Sequence, residues 1–271
     1  MSRNWKSIHS SSRSVIALTA MAWSGLFGQS DMQPGVAFVT SCQGPVSVSS
    51  ANSRQDLDLH DLLEINNSSL RSGDKAHAFL KLSNGLSIGI SSNSEVKFNR
   101  YLQAPFPPTK ESTEYEPSTS ELDIELHSGT LAIASHHLSP LSQMRIRTRM
   151  GSLRIRSANC LLKQDEMGLH IAIYQGSATF HYPDGAGREF IAATEHVWVN
   201  TANGRLNRLS DDINETQTSR QMEAFAKAAE LARSRVIFRA PEKTGSRAQA
   251  ILVAPPSYQS LPIKRPYQLQ D

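Results

Sequence analysis

The sequence predicts an all-β protein of stacked strands and hairpins that ends in one α-helix. Three observations carry that prediction. The first is an apolar frame that recurs around five glycines. Gly129 stands between Ile124, Leu126 and Leu131, Ile133; Gly176 stands between Ile171, Ile173 and Ala178, Phe180. Gly151 has Ile146, Thr148, Leu153 and Ile155 at the same offsets, Gly44 has Val39, Ser41, Val46 and Val48, and Gly204 (Val199, Thr201, Leu206) is a weaker copy. Each copy reads as a strand, a bend and a second strand, with side chains alternating at period two. Glycine suits the bend because it reaches positive φ without a Cβ clash. The second observation is that the pattern from residue 36 to about 209 is almost wholly strand and turn. The third is a change of period afterwards: Met222, Phe225, Ala226, Ala229 and Ala232 fall on one face of a helix over 216–235, among strong helix formers.

Along the chain, residues 1–13 are basic and Ser-rich, 14–27 form an uncharged, mostly apolar run, and Gly28-Gln29-Ser30 sets small residues at −3 and −1 of a cleavage point after Ser30. That order describes a secretory signal peptide over 1–30. The apolar run is shorter than the roughly 20 residues that span a bilayer. A cleaved leader is therefore expected, no stable transmembrane anchor after it, and a periplasmic or secreted protein of a bacterial cell envelope.

The β domain is expected over 36–209. After a first block at 36–48 and a polar segment, Leu70-Arg71-Ser72-Gly73-Asp74 leads into two alternating runs, 76–82 and 86–90, joined by Ser83-Asn84-Gly85. Asn-Gly between alternating apolar runs signals a tight hairpin. Residues 103–121, with four prolines and many Ser, Thr and Glu, read as a flexible surface insertion. Strand patterns resume over 122–133, 144–155, 169–182 and 189–199. The spacings of Gly44, Gly85, Gly129, Gly151, Gly176 and Gly204 are 41, 44, 22, 25 and 28 residues, several near one or two units of about 22, as in stacked β-coils. A C-terminal helix is expected within 211–238 and a Pro-rich disordered tail over 239–271.

The net charge of +3 is carried by Arg3, Lys6 and Arg13; the remaining chain is formally neutral. A neutral body exerts no general pull on phosphate backbones, so nucleic acid is not an expected partner. Cys42 and Cys160 are a disulfide candidate in an exported chain; the competing reading is that each is a small buried apolar residue.

Chemistry-bearing constellations are sparse. His136-His137 are neighbours that alternate across a strand and do not share a metal ion easily. His77, His127, His170, His181 and His196 read as surface or half-buried imidazoles. Asp123 with Glu125 and Asp165 with Glu166 are the closest acid pairs, and a glycosidase needs two converging carboxylates, but Asp123 and Glu125 fit a solvated strand face. The sequence contains no phosphate loop and no H-E-x-x-H. The one charge concentration is Arg145, Arg147 and Arg149 with Arg154 and Arg156. On strands these lie opposite Ile146, Thr148, Leu153 and Ile155, as a stripe able to dock an acidic partner or an anionic glycan or headgroup. The competing reading is an outer face paired with acids of the neighbouring strand.

The ordered pieces resemble the FecR domain. They are Val39-Thr40-Ser41-Cys42-Gln43-Gly44-Pro45-Val46, the 70–88 stretch, Leu126-His127-Ser128-Gly129-Thr130-Leu131, Ile146-Arg147-Thr148-Arg149-Met150-Gly151 and Ile171-Ala172-Ile173-Tyr174-Gln175-Gly176. The resemblance covers roughly 36–205. It departs from the family at Arg156-Ser157-Ala158-Asn159-Cys160, where an Arg-Gly-Thr-like step is usual, and at the 103–121 insertion. The family is known for the periplasmic half of sigma-factor regulators, whose cytoplasmic anti-sigma domain and membrane span come first. With only about thirty residues ahead of the β domain, the resemblance implies the exported sensing or docking half. The expectation is a non-catalytic envelope binding module for sensing, signalling or scaffolding, with a protein partner and no cofactor or metal. A structural cell-surface protein that binds glycan is the alternative, and an envelope hydrolase ranks below it.

Overall fold

A computed structural model describes residues 32–51, 53–105, 116–135, 138–185, 187–209, 217–239 and 249–252. The leader, His136-His137 and nearly all of the tail lie outside the described residues. The strands are β1 (Gln33–Pro34), β2 (Val36–Gln43), β3 (Val46–Ser49), β4 (Arg54–Asp56), β5 (Leu62–Glu64), β6 (Ser68–Ser72), β7 (His77–Leu82), β8 (Ser87–Ile90) and β9 (Glu95–Gln103). They continue with β10 (Ser120–Ala134), β11 (Gln143–Thr148), β12 (Gly151–Gln164), β13 (Gly168–His181), β14 (Arg188–Ala192), β15 (His196–Asn200) and β16 (Leu206–Arg208). The helix α1 (Gln217–Ser234) follows, then the strands β17 (Val236–Arg239) and β18 (Gln249–Leu252).

Sixteen of these strands form one mixed, unclosed sheet, and β17 and β18 pair separately. The three longest strands change partners halfway along. β10 pairs with β9 and β11 over its first arm and with β8 and β12 over its second. β12 pairs with β11 first and β10 later, and β13 pairs with β15 over its first arm and β14 over its second. The arms therefore sort into two layers. The helix-side layer runs β5-β2-β7-β8-β10-β12-β13-β15-β16, and the open-side layer runs β4-β3-β6-β9-β10-β11-β12-β13-β14. Among the described strands only β10 and β11 pair in parallel.

All five frame glycines have positive φ: 72° at Gly44, 84° at Gly129, 146° at Gly151, 77° at Gly176 and 63° at Gly204. They do two different jobs. Gly44, Gly129 and Gly176 mark passages between the layers, whereas Gly151 and Gly204 belong to the turns joining β11 to β12 and β15 to β16. β12 makes its own passage without glycine, at a bulge between Ile155 and Ser157 directly beside Gly176.

Alternation fills the space between the layers. Leu80, Ile88, Leu131, Ile133, Leu162, Ile171 and Val197 face Leu70, Phe98, Ile124, Ile146, Leu153 and Phe180 in one continuous core. The helix-side layer is buried on its outer surface too, where Phe79, Ala132, Leu161 and Ala172 meet Met222, Ala229 and Ala232 of α1. Small alanines let the helix lie close, and Phe225 packs on Phe79 with ring centroids 4.9 Å apart. Val236 and Phe238 of β17 cover Val36 and Phe38 of β2. Among the described residues no helix is long and apolar enough to cross a membrane. Among the described residues no helix covers the open-side layer, and its outer surface carries mostly polar and charged side chains.

The two cysteines are free thiols. They sit on β2 and β12, and the candidate disulfide is not formed. Cys160 is in the core and burial pushes its thiol up to about 12; Cys42 is half-buried and its Sγ donates to Leu57 O at 3.4 Å.

One polar cluster is built into the interior. Tyr101 is fully buried; its Oη shares a hydrogen bond with Ser83 Oγ at 2.9 Å and accepts from Asn84 N at 3.0 Å. Asn84 in turn donates to Ser120 Oγ at 3.0 Å. The Asn84-Gly85 turn is thus anchored to β9 and β10, which explains why this hairpin is held deep in the molecule. Tyr101→Phe leaves the Asn84 N–H without its acceptor, and a loss of about 1–3 kcal/mol is expected in urea unfolding. A Tyr101→Phe midpoint equal to that of the parent protein would show that the hydroxyl is dispensable.

Candidate functional site

The outer surface of the open-side layer carries the arginines singled out in the sequence. Strand register sets them in rows, because directly paired residues share a face. One row runs Arg100, Asp123, Arg145, Arg154, Thr179, Phe190 across β9, β10, β11, β12, β13 and β14. The next runs Lys97, Glu125, Arg147, Ser152, His181, Arg188.

The arginines meet different fates. Arg147 closes a bidentate pair on Asp123, Nε to Oδ1 at 2.8 Å and Nη2 to Oδ2 at 2.6 Å, which raises its pKa further through that hydrogen bond. Arg100 takes Glu121 at 2.5 Å. Arg149 leaves the face altogether, contrary to the strand alternation extended through it. It follows the end of β11, in the turn, where its N donates to Gln164 Oε1 and its Nη2 to Asp165 O at 2.6 Å. Arg145, Arg154 and Arg156 remain, lining a groove of about 430 Å³ together with Glu121 and Asp123. Among the described residues none of these three, nor Arg188, has a carboxylate within ion-pair distance.

The local potential is accordingly positive. His181, beside Arg188 and Ser152, is held below the ordinary imidazole value, by desolvation first and then by Arg154, Arg188 and Arg145. At the end of the row Phe190 is 60% exposed on β14. The rim of that strand is closed by Arg208, whose Nη2 donates to Phe190 O at 3.0 Å and whose Nε meets Glu195 at 3.1 Å. A charged bracket of this kind blunts an edge strand against further strand pairing, so docking here would use side chains rather than added β-structure.

Three of the four acids have structural partners. Asp123 is held by Arg147, Glu125 accepts from Asn99 Nδ2 at 3.1 Å, and Asp165 Oδ1 caps the turn at Met167 N and Gly168 N.

A second feature was not legible in the sequence. Tyr174, His196 and Asn159 of the helix-side layer meet Glu223 and Lys227 of α1 around a cavity of about 270 Å³. His196 lies 5.5 Å from His170 and 5.8 Å from Tyr174 by ring centroids. Burial, with His196 and Lys163 adding to it, pulls His170 down to about 4. Burial also lowers His196, against the pull of Glu223. Tyr174 is raised, by burial first and then by Glu223. These residues come from β12, β13, β15 and α1, and no spacing in the chain links them.

The model of the family described as "FecR protein" matches residues 68–179, a span inside the 36–205 over which the resemblance was drawn. No curated protein matches the sequence. Two crystal structures described as a "putative anti-sigma factor" from Parabacteroides distasonis ATCC 8503 are similar to it. One is 15% identical, with a TM-score of 0.41, over 54% of this chain and 61% of that one. The other is 12% identical, with a TM-score of 0.41, over 69% of this chain and 99% of its own length. The match thus spans less than two thirds of the first of these structures.

Proposed function

We propose, from the FecR domain that residues 68–179 carry, that this chain is a non-catalytic binding module of envelope signalling that docks an acidic protein on its open-side face. The leader at 1–30 would deliver it to the envelope. The observation that supports the docking face is the group of Arg145, Arg154, Arg156 and Arg188, which have no carboxylate within ion-pair distance among the described residues, with exposed Phe190 at the end of the row of Arg145 and Arg154. Guanidinium groups pair carboxylates in fixed bidentate geometry and stay charged at every physiological pH. An exposed aromatic next to them supplies the apolar anchor that such interfaces use.

The test is a charge reversal. The triple variant Arg145→Glu/Arg154→Glu/Arg156→Glu changes two exposed positions and the half-buried Arg145, none of them in the core, so its circular dichroism and melting temperature should stay close to those of the parent. Tagged parent protein should capture an acidic envelope protein whose binding weakens as salt rises, and the triple variant should lose that protein at least tenfold. Capture that is indifferent to the reversal would remove this face as the docking site. A signalling role further predicts that deleting the gene shifts transcription of a sigma-factor regulon.

A further inference from the structure

The cavity under α1 has the features of a ligand site. His196 is only 7% exposed, yet among the described residues its Nδ1 has no hydrogen-bond partner, and neither has the buried hydroxyl of Tyr174. Native interiors leave few such groups unpaired, because each costs about 1–3 kcal/mol. Both residues line one cavity, and the ring of Tyr174 stands edge-on to His196 at 5.8 Å.

The opposite wall decides the ligand's charge. α1 presents Glu223 and Glu230 there against a single ammonium, Lys227. Lys227 Nζ is 2.7 Å from Glu223 Oε1 in an exposed pair, and exposed pairs of this kind hold together weakly. Glu230 has no ion-pair partner among the described residues. The wall therefore keeps one negative charge in excess. About 270 Å³ is small for a ligand pocket, which limits the occupant to a compact molecule.

We propose that this cavity binds a small primary amine that carries a hydroxyl group. Its ammonium would lie between Glu223 and Glu230 near the Tyr174 ring, where charge-assisted hydrogen bonds and the ring face favour a cation. Its hydroxyl would satisfy the Tyr174 Oη and His196 Nδ1 left open by the fold. Because the site is walled by α1 on one side and the sheet on the other, an occupant ties the helix to the sheet and stabilises the docked helix by mass action. The proposal is independent of the docking face.

Ethanolamine is the probe, titrated into the full chain by calorimetry, with hydrogen exchange followed over 217–234. Saturable binding is expected for ethanolamine and not for ethylene glycol or acetate, with slower exchange along the helix. Glu230→Gln and Tyr174→Phe, both shape-conserving, should each weaken binding at least fivefold while leaving the melting temperature nearly unchanged. The triple arginine reversal should bind ethanolamine as the parent does. Absence of saturable binding, equal binding of ethylene glycol, or binding untouched by both Glu230→Gln and Tyr174→Phe would overturn the assignment.

Discussion

Gly176→Ala is expected to destabilise the protein by about 3–5 kcal/mol, a large part of the stability of an ordinary domain. Two costs combine. Gly176 has a φ of 77°, and an L-residue held there loses about 1–2 kcal/mol from the contact of its Cβ with the backbone. The larger cost is the neighbour. A Cβ at this position would stand 1.9 Å from Ser157 O and 2.8 Å from Ser157 C, so the bulge of β12 must shift. That bulge is the passage of β12 between the layers, and Ile155 on one side of it and Ala158 on the other are both buried in the core. Backbone strain of this order persists only when the surroundings enforce it. Gly204 supplies the control. It has nearly the same φ, 63°, but nothing lies within 4 Å of an added Cβ, so Gly204→Ala should cost only about 1–2 kcal/mol. Urea unfolding of both variants separates the two terms, and equal losses would sink the claim that the Ser157 contact dominates.

That contrast also shows what the chain could and could not announce. Each of the five glycines that the recurring apolar frame marked has positive φ, because alternation and a tight bend are local properties written in neighbouring residues. Whether a bend reverses a hairpin, as at Gly151, or carries a strand into another layer, as at Gly129, depends on which strands pair on either side, and pairing is not local. The helix was equally legible: Met222, Ala226, Ala229 and Ala232 are the buried face. The arginine stripe was legible as a face but not as a charge balance. Only the parallel register of β10 against β11 sets Asp123 and Glu125 beside Arg145 and Arg147, and only the turn after Thr148 takes Arg149 away. The cavity under α1 left no trace in the sequence. His170 and His196 looked like ordinary strand imidazoles, and the helix that buries His196 beside Tyr174 starts about twenty residues after it.

Burial of those imidazoles leads to the second large effect, a loss of stability in mild acid. The folded protein keeps His170 neutral down to about pH 4, through burial first and then the neighbouring His196 and Lys163, whereas the unfolded chain takes up that proton near pH 6.5. A folded value below the unfolded one means stability that is complete above pH 6.5 and is lost as pH falls through 6.5 toward 4. The size follows from about 1.36 kcal/mol per pH unit, which gives at most about 3 kcal/mol from this one side chain. His196 acts in the same direction, tempered by Glu223. Glu116 acts in the opposite one. Burial raises its carboxyl although it accepts from Ser139 N at 2.7 Å and Ser142 Oγ at 2.6 Å, so its contribution is present below about pH 4.5 and fades as pH rises through its raised value. The imidazoles should prevail between pH 6.5 and 5, since unfolding there binds protons at His170 and His196 together. Urea midpoints measured at pH 7.5, 6.5, 5.5 and 5 should therefore fall steadily with acid. His170→Gln, which cannot take up the proton, should flatten that fall by about one proton's worth of slope and leave Glu116 untouched. A slope that is the same in parent and variant would place the acid sensitivity elsewhere and refute the assignment to His170.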